Sequence, residues 1–354
     1  MKGLRAFVVL LGLATPACHD RAKDIENTAV AAPVEKPSSA ASGTSERVQP
    51  APLTIAYSDW PGWIAWDIAV EKGFFRDAGV NVRLDWLDYV PSMEAFSEGK
   101  DDAVCMTNGD ALVTASSGAR SVGILLNDFS NGNDMIVARR EVKNVADLRH
   151  RKIGVEVGFV DHLLLMEALK SASMTEADVE IVDTKTHETP ALLKSGSVAA
   201  IAAWQPNSGQ ALDLLPGSKA IFTSANVPGL IYDLLFVSPK SLVERRSDWF
   251  KVVNVWFRVA AFIENPATRP EALRIMSARV HLTPEKYGAL LDGTFILNHE
   301  GNARHFEKKS GFDSVYGSTE AVDKFNIANH TYKESPALEA VLDPTLVAEA
   351  LAEK

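Results

Sequence analysis

Six short segments of the sequence combine acidic or aromatic side chains and contain neither lysine nor arginine. They are residues 57–63, 107–110, 131–134, 156–162, 204–208 and 228–233. Their carboxylates are Asp59, Asp110, Asp134, Glu156, Asp161 and Asp233. A carboxylate forms charge-assisted hydrogen bonds with a cation, each worth about 1.5 to 3 kcal/mol net. Because the same groups would repel an anion, these segments predict a site for a small cation or zwitterion.

The first of these segments is also rich in aromatic rings. The stretch YSDWPGWIAW holds Tyr57, Trp60, Trp63 and Trp66, and Trp204 belongs to another segment. A cation over an indole face is stabilised by about 0.5 to 2 kcal/mol. Asp59 and Trp60 precede a Pro-Gly pair in a loop, where a large apolar side chain is costly unless it covers something. We therefore expect both residues to contact the ligand.

The full set of predicted ligand-binding residues draws on all six segments. It consists of Asp59, Trp60, Asn108, Asp110, Asp134, Glu156, Asp161, Trp204 and Asp233. Asp110 and Asp161 also stand at the start of predicted helices, so capping a helix N-terminus is an alternative role for each. The segment NGND, residues 131–134, also fits a simple turn. Trp66 falls on the apolar stripe of a helix and is predicted to be a core residue.

From residue 53 onward, short apolar runs alternate with segments of helical period, which is typical of an α/β fold with parallel strands and crossover helices. The predicted strands are 53–57, 81–87, 102–106, 152–157, 179–183 and 199–204. A helix is predicted over 63–78, and the chain after Asp233 is predicted to be almost entirely helical. In open α/β sheets ligands bind beyond the carboxyl ends of the strands, and this rule selects the six segments above.

The composition and the motifs exclude several classes of function. The chain has 354 residues, 46% of them hydrophobic, which is ample for a folded core. Its 46 acidic and 36 basic residues argue against nucleic acid as a partner. No GxSxG, HExxH, phosphate-binding or dinucleotide-binding motif is present, and the eight histidines and two cysteines show no zinc spacing. We predict a protein that is not an enzyme and has neither a cofactor nor a metal site.

Residues 1–18 are predicted to form an export signal. Lys2 and Arg5 precede an apolar run over residues 6–14, and small residues then lead to Cys18. This is the layout of a secretory signal that is too short to be a stable membrane anchor. The predicted location is therefore the periplasm or the cell envelope.

The residues around Cys18 resemble a bacterial lipobox, in which the cysteine thiol is lipidated. Thr15 stands where leucine is usual, and ordinary cleavage near Ala17 is the alternative. Residues 19–52 are rich in Ala, Ser, Pro and Glu and contain no aromatic residue, so they are predicted to be a flexible tether. Contact with the membrane would then occur through the lipid anchor only.

Four stretches of the sequence carry a resemblance to a known family. They are IAWDIAVEKGFFRDAGVNVRL (64–84), EAFSEGKDDAVCMTNGD (94–110), NVADLRHRKIGVEVG (144–158) and LLKSGSVAAIAAWQP (192–206). In this order they resemble the periplasmic substrate-binding proteins of ABC importers for nitrate, sulfonates, taurine and thiamine-pyrimidine precursors.

The resemblance implies a fold of two α/β lobes, each a mostly parallel sheet flanked by helices, joined by two crossing strands that close over a ligand. Residues 53–136 and 236–354 would form the first lobe, and residues 137–235 the second. It also implies an ABC permease and its ATPase as partners.

The cargo that best fits the acidic segments is guanidine, a guanidino compound or a urea-like molecule, because a guanidinium group presents forked donors to carboxylates and a flat face to tryptophan. Taurine, another sulfonate or nitrate is the alternative that the resemblance itself favours. A protein that binds a thiamine-pyrimidine precursor, or an enzyme that makes one, is a further alternative, although Cys105 alone departs from the Cys-rich iron site of that enzymatic branch. A signalling or scavenging protein that binds the ligand without a permease also remains open.

Overall fold

Residues 51–353 are described by a computed structural model of the chain, and eleven β-strands in this part form two sheets. The strands are β1 (Leu53–Tyr57), β2 (Val82–Trp86), β3 (Ala103–Thr107), β4 (Val122–Ser130), β5 (Met135–Ala138), β6 (Lys152–Val155), β7 (Glu180–Asp183), β8 (Ala200–Ala203), β9 (Lys219–Thr223), β10 (Tyr232–Val237) and β11 (Thr294–Ile296). The predicted export signal, Cys18 and almost all of the predicted tether lie outside the described residues.

The helices of the described part cover the faces of the sheets and form most of the C-terminal third. They are α1 (Trp66–Glu71), α2 (Phe74–Asp77), α3 (Tyr89–Ser97), α4 (Asn108–Ser116), α5 (Val160–Ser171), α6 (Thr189–Ser195), α7 (Asn207–Leu214), α8 (Pro239–Glu244), α9 (Arg246–Glu264), α10 (Arg269–Arg279), α11 (Pro284–Asp292), α12 (His299–His305), α13 (Val315–Ala328) and α14 (Thr345–Ala352). The predicted helical character of the chain after Asp233 is confirmed, apart from β10, which continues from Asp233 to Val237, and the short strand β11.

The first sheet has the strand order β11-β4-β10-β3-β1-β2, and the second has the order β7-β6-β8-β5-β9. In the first sheet β1 is parallel to β2 and β3, whereas β10 runs antiparallel to β3 and β4. In the second, β6 is parallel to β7 and β8, and β5 is antiparallel to β8 and β9. The α/β prediction is confirmed, with sheets that are mixed rather than mostly parallel, because strands that border the two crossings run against their neighbours.

The chain passes between the sheets twice. The first crossing is residues 131–134, between β4 and β5, and the second is residues 224–231, between β9 and β10. Because the last residues of β4 and the first residues of β10 pair with each other, the two crossings start from adjacent strands. Side chains at these four strand ends therefore meet between the sheets.

The core of the first sheet rests on strands that are buried on both faces. All five residues of β3 and all six of β10 are buried, as is typical of strands with helices on each side. Helix α9 adds Trp249 and Trp256 to this core, and Trp66 packs on Trp256 with ring centroids 4.8 Å apart. The predicted core role of Trp66 is confirmed.

The predicted continuous helix over 63–78 is wrong in detail. The segment forms a 3₁₀ turn at Trp63–Ala65, then α1, then α2. Gly73 between the two helices takes φ of 69°, a left-handed conformation that interrupts the helix and that glycine adopts without steric cost. No helix within residues 51–353 has the length and apolar character needed to cross a membrane.

Candidate functional site

A small cavity lies where the two crossings meet, and we call it the central cavity. It is lined by Trp60, Trp63, Tyr89, Thr107, Asp134, Val160, Trp204, Ile231 and Asp233. Four of the predicted ligand-binding residues, Trp60, Asp134, Trp204 and Asp233, are thus brought together from four separate parts of the sequence.

Both sheets and both crossings contribute to this cavity. Trp60 follows the carboxyl end of β1, and Thr107 is the last residue of β3. From the second sheet, Trp204 follows β8, and Val160 begins α5 after β6. The geometry agrees with the general rule that sites in α/β sheets form at the carboxyl ends of strands.

Four aromatic rings form the walls of the central cavity. Trp63 stacks on Tyr89 with centroids 5.4 Å apart and an interplanar angle of 28°. Trp60 lies 6.3 Å from Trp63, and Trp204 meets Tyr89 edge-on at 5.5 Å. Such an arrangement offers π-faces from both sheets to a flat or cationic guest.

Asp134 and Asp233 supply the carboxylates of the central cavity, and each is only 2% exposed. The Oδ2 atom of each has no hydrogen-bond partner within the described residues. Burial raises the pKa of Asp134 to about 7 and holds the pKa of Asp233 well above its ordinary value, where neighbouring carboxylates add to the effect. A buried, unpaired acceptor is costly, so these two oxygens favour a ligand that donates hydrogen bonds.

Asp128 is a buried acid of β4 that the sequence did not single out. The Trp60 indole Nε1–H donates to its Oδ1 over 2.9 Å, while its Oδ2 has no partner in the described structure. Burial raises the pKa of Asp128 to about 7, and hydrogen bonds from Asp233 and Trp60 oppose that rise. An aspartate inside the apolar run VGILLNDFS was the available signal, because a carboxylate in a buried strand needs a partner.

Asp110 and Asp161 lie close to these acids and are also buried. Asp110 Oδ2 accepts hydrogen bonds from Tyr89 Oη at 2.5 Å and from Thr107 Oγ1 at 2.9 Å, and burial raises the Asp110 pKa to about 6. Neither oxygen of Asp161 has a hydrogen-bond partner among the described residues. Burial, followed by the charges of Asp134 and Asp110, holds the Asp161 pKa well above its ordinary value.

The capping alternative is wrong for both of these acids. The side chain that caps α4 belongs to Thr107, whose Oγ1 accepts from the Asp110 backbone N–H at 3.0 Å. Helix α5 has Phe159 at its N-cap position, with no side-chain cap, and Asp161 lies inside the helix. The burial of these two carboxylates therefore serves no capping function.

Asn108 lies beside the central cavity but does not line it. Its amide nitrogen donates to Ser318 Oγ at 3.0 Å and to Thr319 Oγ1 at 3.2 Å. Its Oδ1 accepts from the backbone N–H of Tyr232 at 3.2 Å. These bonds tie α4 to α13 and β10, which gives Asn108 a structural role in this geometry.

Glu156 and Asp59 also lie outside the lining of the central cavity. Glu156 Oε2 accepts from the backbone N–H of Thr186 at 3.0 Å and from its Oγ1 at 2.9 Å. Its charge still adds to the rise in the pKa of Asp110 and Asp161. Asp59 is half-buried, and burial raises its pKa to about 6.

The central cavity holds no basic side chain, since none of its lining residues is Lys, Arg or His. The groups that shift the pKa values of Asp128, Asp134, Asp161 and Asp233 are carboxylates and hydrogen-bond donors, with no Lys or Arg. Within residues 51–353 no group of three or more His, Cys, Asp or Glu residues is arranged to hold a metal ion. The carboxyl groups of the central cavity therefore face no basic side chain in its lining.

Two α/β sheets joined by two crossings, with a cavity between them, define a two-lobed α/β architecture. Residues 61–254 match the model of the NMT1/THI5-like family, and because this match covers more than half of the chain, the protein belongs to that family. Curated relatives from Brucella abortus and Brucella suis, described as binding proteins, are 26% identical over 203 residues. The match covers 56% of this chain and 63% of the length of those relatives.

Solved structures with the same fold include sulfonate-binding proteins. The periplasmic aliphatic sulphonate-binding protein SsuA of Escherichia coli superposes with a TM-score of 0.67 at 18% identity, covering 82% of this chain and 97% of its own. The alkanesulfonate-binding protein SsuA of Xanthomonas axonopodis pv. citri, bound to MOPS, gives 0.66 at 16% identity, covering 83% and 99%. A zinc-bound ligand-binding component of an ABC-type import system from Staphylococcus aureus gives 0.68 at 13%, covering 84% and 98%. These likenesses confirm the predicted two-lobed fold.

Proposed function

We propose that this protein is the extracytoplasmic solute-binding component of an ABC import system. It captures a small nitrogen-containing cation between its two lobes and delivers it to a membrane permease that works with an ATPase. Membership of the NMT1/THI5-like family supports this role, as does a fold shared with binding proteins of import systems. Guanidine or a guanidino compound is the cargo that we propose.

The observation that carries the choice of cargo is the pair of unpaired carboxylate oxygens in an aromatic cavity without basic residues. A guanidinium group donates forked N–H bonds, which suits Asp134 and Asp233, while its flat face suits the rings of Trp60 and Trp204. A quaternary ammonium such as choline has no N–H donor and would leave both oxygens unpaired. The cavity therefore favours guanidinium over a methylated ammonium group.

Capture requires the two lobes to separate and close. We propose that the lobes divide at the crossings, so that residues 53–130 with 232–353 form one lobe and residues 135–223 the other, with the crossings as the hinge. The boundaries predicted from the sequence, 136/137 and 235/236, fall inside β5 and β10. In the closed arrangement Trp60 and Trp204 approach the ligand from opposite lobes. Contacts made by both lobes stabilise the closed form, which is the form that the permease would recognise.

A sulfonate carrier is the second candidate function. The solved structures named above include sulfonate-binding proteins, and one lining residue, Trp63, has a buried indole N–H without an acceptor in the described structure. A sulfonate would accept from that N–H, but it would also face Asp134 and Asp233. Taurine would reduce this repulsion in part, because its ammonium group would pair with Asp134 and Asp233.

An enzyme is less well supported, although the desulfurization enzyme DszB has the same fold with a TM-score of 0.61 at 17% identity. The cysteine of the described part, Cys105, lies fully buried inside β3. Burial raises the pKa of its thiol well above the ordinary value, so the reactive thiolate is suppressed. The same residue gives no support to a Cys-rich iron site, as a precursor-forming enzyme of the pyrimidine branch would need.

The proposed location is the periplasm or cell envelope, with an anchor at Cys18. A lipid at this position would keep the binding domain near the permease without inserting it in the bilayer. Labelled fatty acid should enter the full-length chain and fail to enter a Cys18→Ala variant. Equal labelling of the two chains would contradict the anchor and leave the transport role intact.

A thermal-shift screen tests the proposed cargo. Ligand that binds only the folded protein raises the melting temperature with occupancy. We expect guanidine to raise it, and taurine, nitrate, urea, choline and pyrimidine precursors to raise it less or not at all. The largest shift with taurine or an alkanesulfonate would favour the second candidate instead.

A further inference from the structure

A second small cavity adjoins the central cavity and shares Thr107, Val160 and Ile231 with it. We call it the side cavity, and its apolar wall consists of Val160, Leu163, Leu230, Ile231, Val322 and Phe325. Because three lining residues belong to both cavities, a molecule seated in the central cavity has the side cavity as its immediate neighbour.

The side cavity is formed by elements that are far apart in the sequence. The first turn of α5 supplies Val160 and Leu163, and α13 supplies Val322 and Phe325. Helix α13 lies beyond residues 61–254, the part of the chain that matches the family model. Two of the six residues of this wall, Val322 and Phe325, therefore come from a part of the chain that the family match does not cover.

The polar groups at the border of the side cavity already have partners. Both ends of the Asn108 amide are bonded to α13 and β10, and Asp110 Oδ2 accepts from Tyr89 and Thr107. The Asn326 amide nitrogen donates to Tyr332 Oη at 3.4 Å. The central cavity, in contrast, presents unpaired oxygens of Asp134 and Asp233. The central cavity thus favours a group that donates hydrogen bonds, whereas the side cavity favours an apolar group.

We infer that the cargo is a substituted guanidinium whose charged head occupies the central cavity and whose alkyl substituent occupies the side cavity. This inference rests on the proposed function and narrows its substrate class from guanidine to N-alkylguanidines. The half-buried Phe159 and Phe325 also line the side cavity, so an alkyl substituent placed there would contact apolar and aromatic side chains. Each methylene that leaves water should tighten binding by about fourfold.

Calorimetric titration of the protein with guanidine, methylguanidine and butylguanidine tests this inference. We expect affinity to rise along the series, with butylguanidine bound at least tenfold more tightly than guanidine. A Val322→Phe variant fills the side cavity, and it should remove this advantage while it changes the affinity for guanidine less than threefold. Val322 is buried, so the larger side chain could disturb folding. A Phe325→Trp variant enlarges a half-buried residue of the same wall and should disturb folding less.

The outcomes separate this inference from the function on which it rests. Binding of guanidine without any gain for butylguanidine would overturn the inference and leave the proposed function standing. A butylguanidine advantage that persists in both folded variants would also overturn it. If neither guanidine nor its alkyl derivatives bind, the proposed cargo fails and the inference fails with it.

Discussion

Asp128 lies directly opposite Asp233 across the antiparallel pairing of β4 and β10, and both carboxyl groups are buried. Burial, followed by the charge of Asp128, holds the pKa of Asp233 well above its ordinary value, so a proton on one of the two carboxyl groups is favoured. Each retains an Oδ2 atom without a partner in the described residues. Without ligand, protons on these carboxyl groups therefore reduce the repulsion between their negative charges. We expect a bound cation to replace at least one of these protons.

This exchange predicts that binding depends on pH. Burial raises the pKa of Asp128 and of Asp134 to about 7, and a guanidinium favours their ionised forms. Affinity should therefore be highest above pH 8 and fall as the pH drops through 7 toward 5.5, by about tenfold per pH unit for each proton displaced. Calorimetry in buffers of different ionisation enthalpy would count the protons released. An affinity that is constant or rises toward pH 5.5 would contradict the exchange.

The same acids should destabilise the empty protein at high pH. A carboxyl whose pKa is raised in the folded state contributes stability below its unfolded pKa near 4 and loses it as the pH rises through the folded pKa. Asp233→Asn removes one buried charge, so at pH 8 we expect it to raise the free energy of unfolding by at least about 1 kcal/mol. The gain should shrink at pH 5.

Chemical denaturation at the two pH values measures this difference. Asp213→Asn is the matched control, because it makes the same chemical change on the exposed side of α7. The same Asp233→Asn variant should bind guanidine at least tenfold more weakly, so stability and binding should change in opposite directions. A loss of stability at pH 8 would show that the Asp233 charge is compensated in the folded protein.

Trp60 should act as an aromatic surface rather than as a hydrogen-bond donor to the ligand. Its indole N–H is already engaged by Asp128, so Trp60→Phe keeps a ring and should cost less than about fivefold in affinity. Trp60→Ala removes the ring and should cost about tenfold. Trp86→Phe, on β2 and away from the central cavity, is the control for titration calorimetry. Equal losses for the Phe and Ala variants at position 60 would argue for a role of the N–H instead.

Glu156 provides a contrast, because the structure gives it a partner inside the protein. Its Oε2 accepts two hydrogen bonds from Thr186, so Glu156→Ala should lower stability by about 1 to 2 kcal/mol. Affinity for guanidine should stay within about threefold of that of the unchanged protein. A tenfold weaker binding in a folded variant would restore Glu156 to the ligand site.

Six of the eleven strands in the described residues could be predicted from the sequence. β1, β2, β3, β6, β7 and β8 are short β-branched or apolar runs followed by a helical period, and the predicted bounds lie within two residues of the observed ones. The strands β4, β5, β9, β10 and β11 were not predicted. β10 pairs with β3 and β4 across more than a hundred residues, and no local pattern reports such pairing.

The site was predictable where a strand end was recognised. Trp60 and Trp204 follow from that rule and do line the central cavity, whereas Asp233, which also lines it, lies near the start of β10, a strand that was not predicted. Tyr89 was missed because it begins α3, and only packing between elements turns its ring toward Trp63 and Trp204. Asp128 was missed because it belongs to β4, a strand that was not predicted.

The most direct measurement of the central claim is a calorimetric comparison of guanidinium with oxyanions on the same protein preparation. We predict that a guanidinium binds with a dissociation constant in the micromolar range or below, that taurine, methanesulfonate and nitrate give no measurable heat, and that Asp233→Asn weakens the guanidinium at least tenfold. If a sulfonate or nitrate binds more tightly than every guanidinium tested, the assignment of a cationic cargo is wrong.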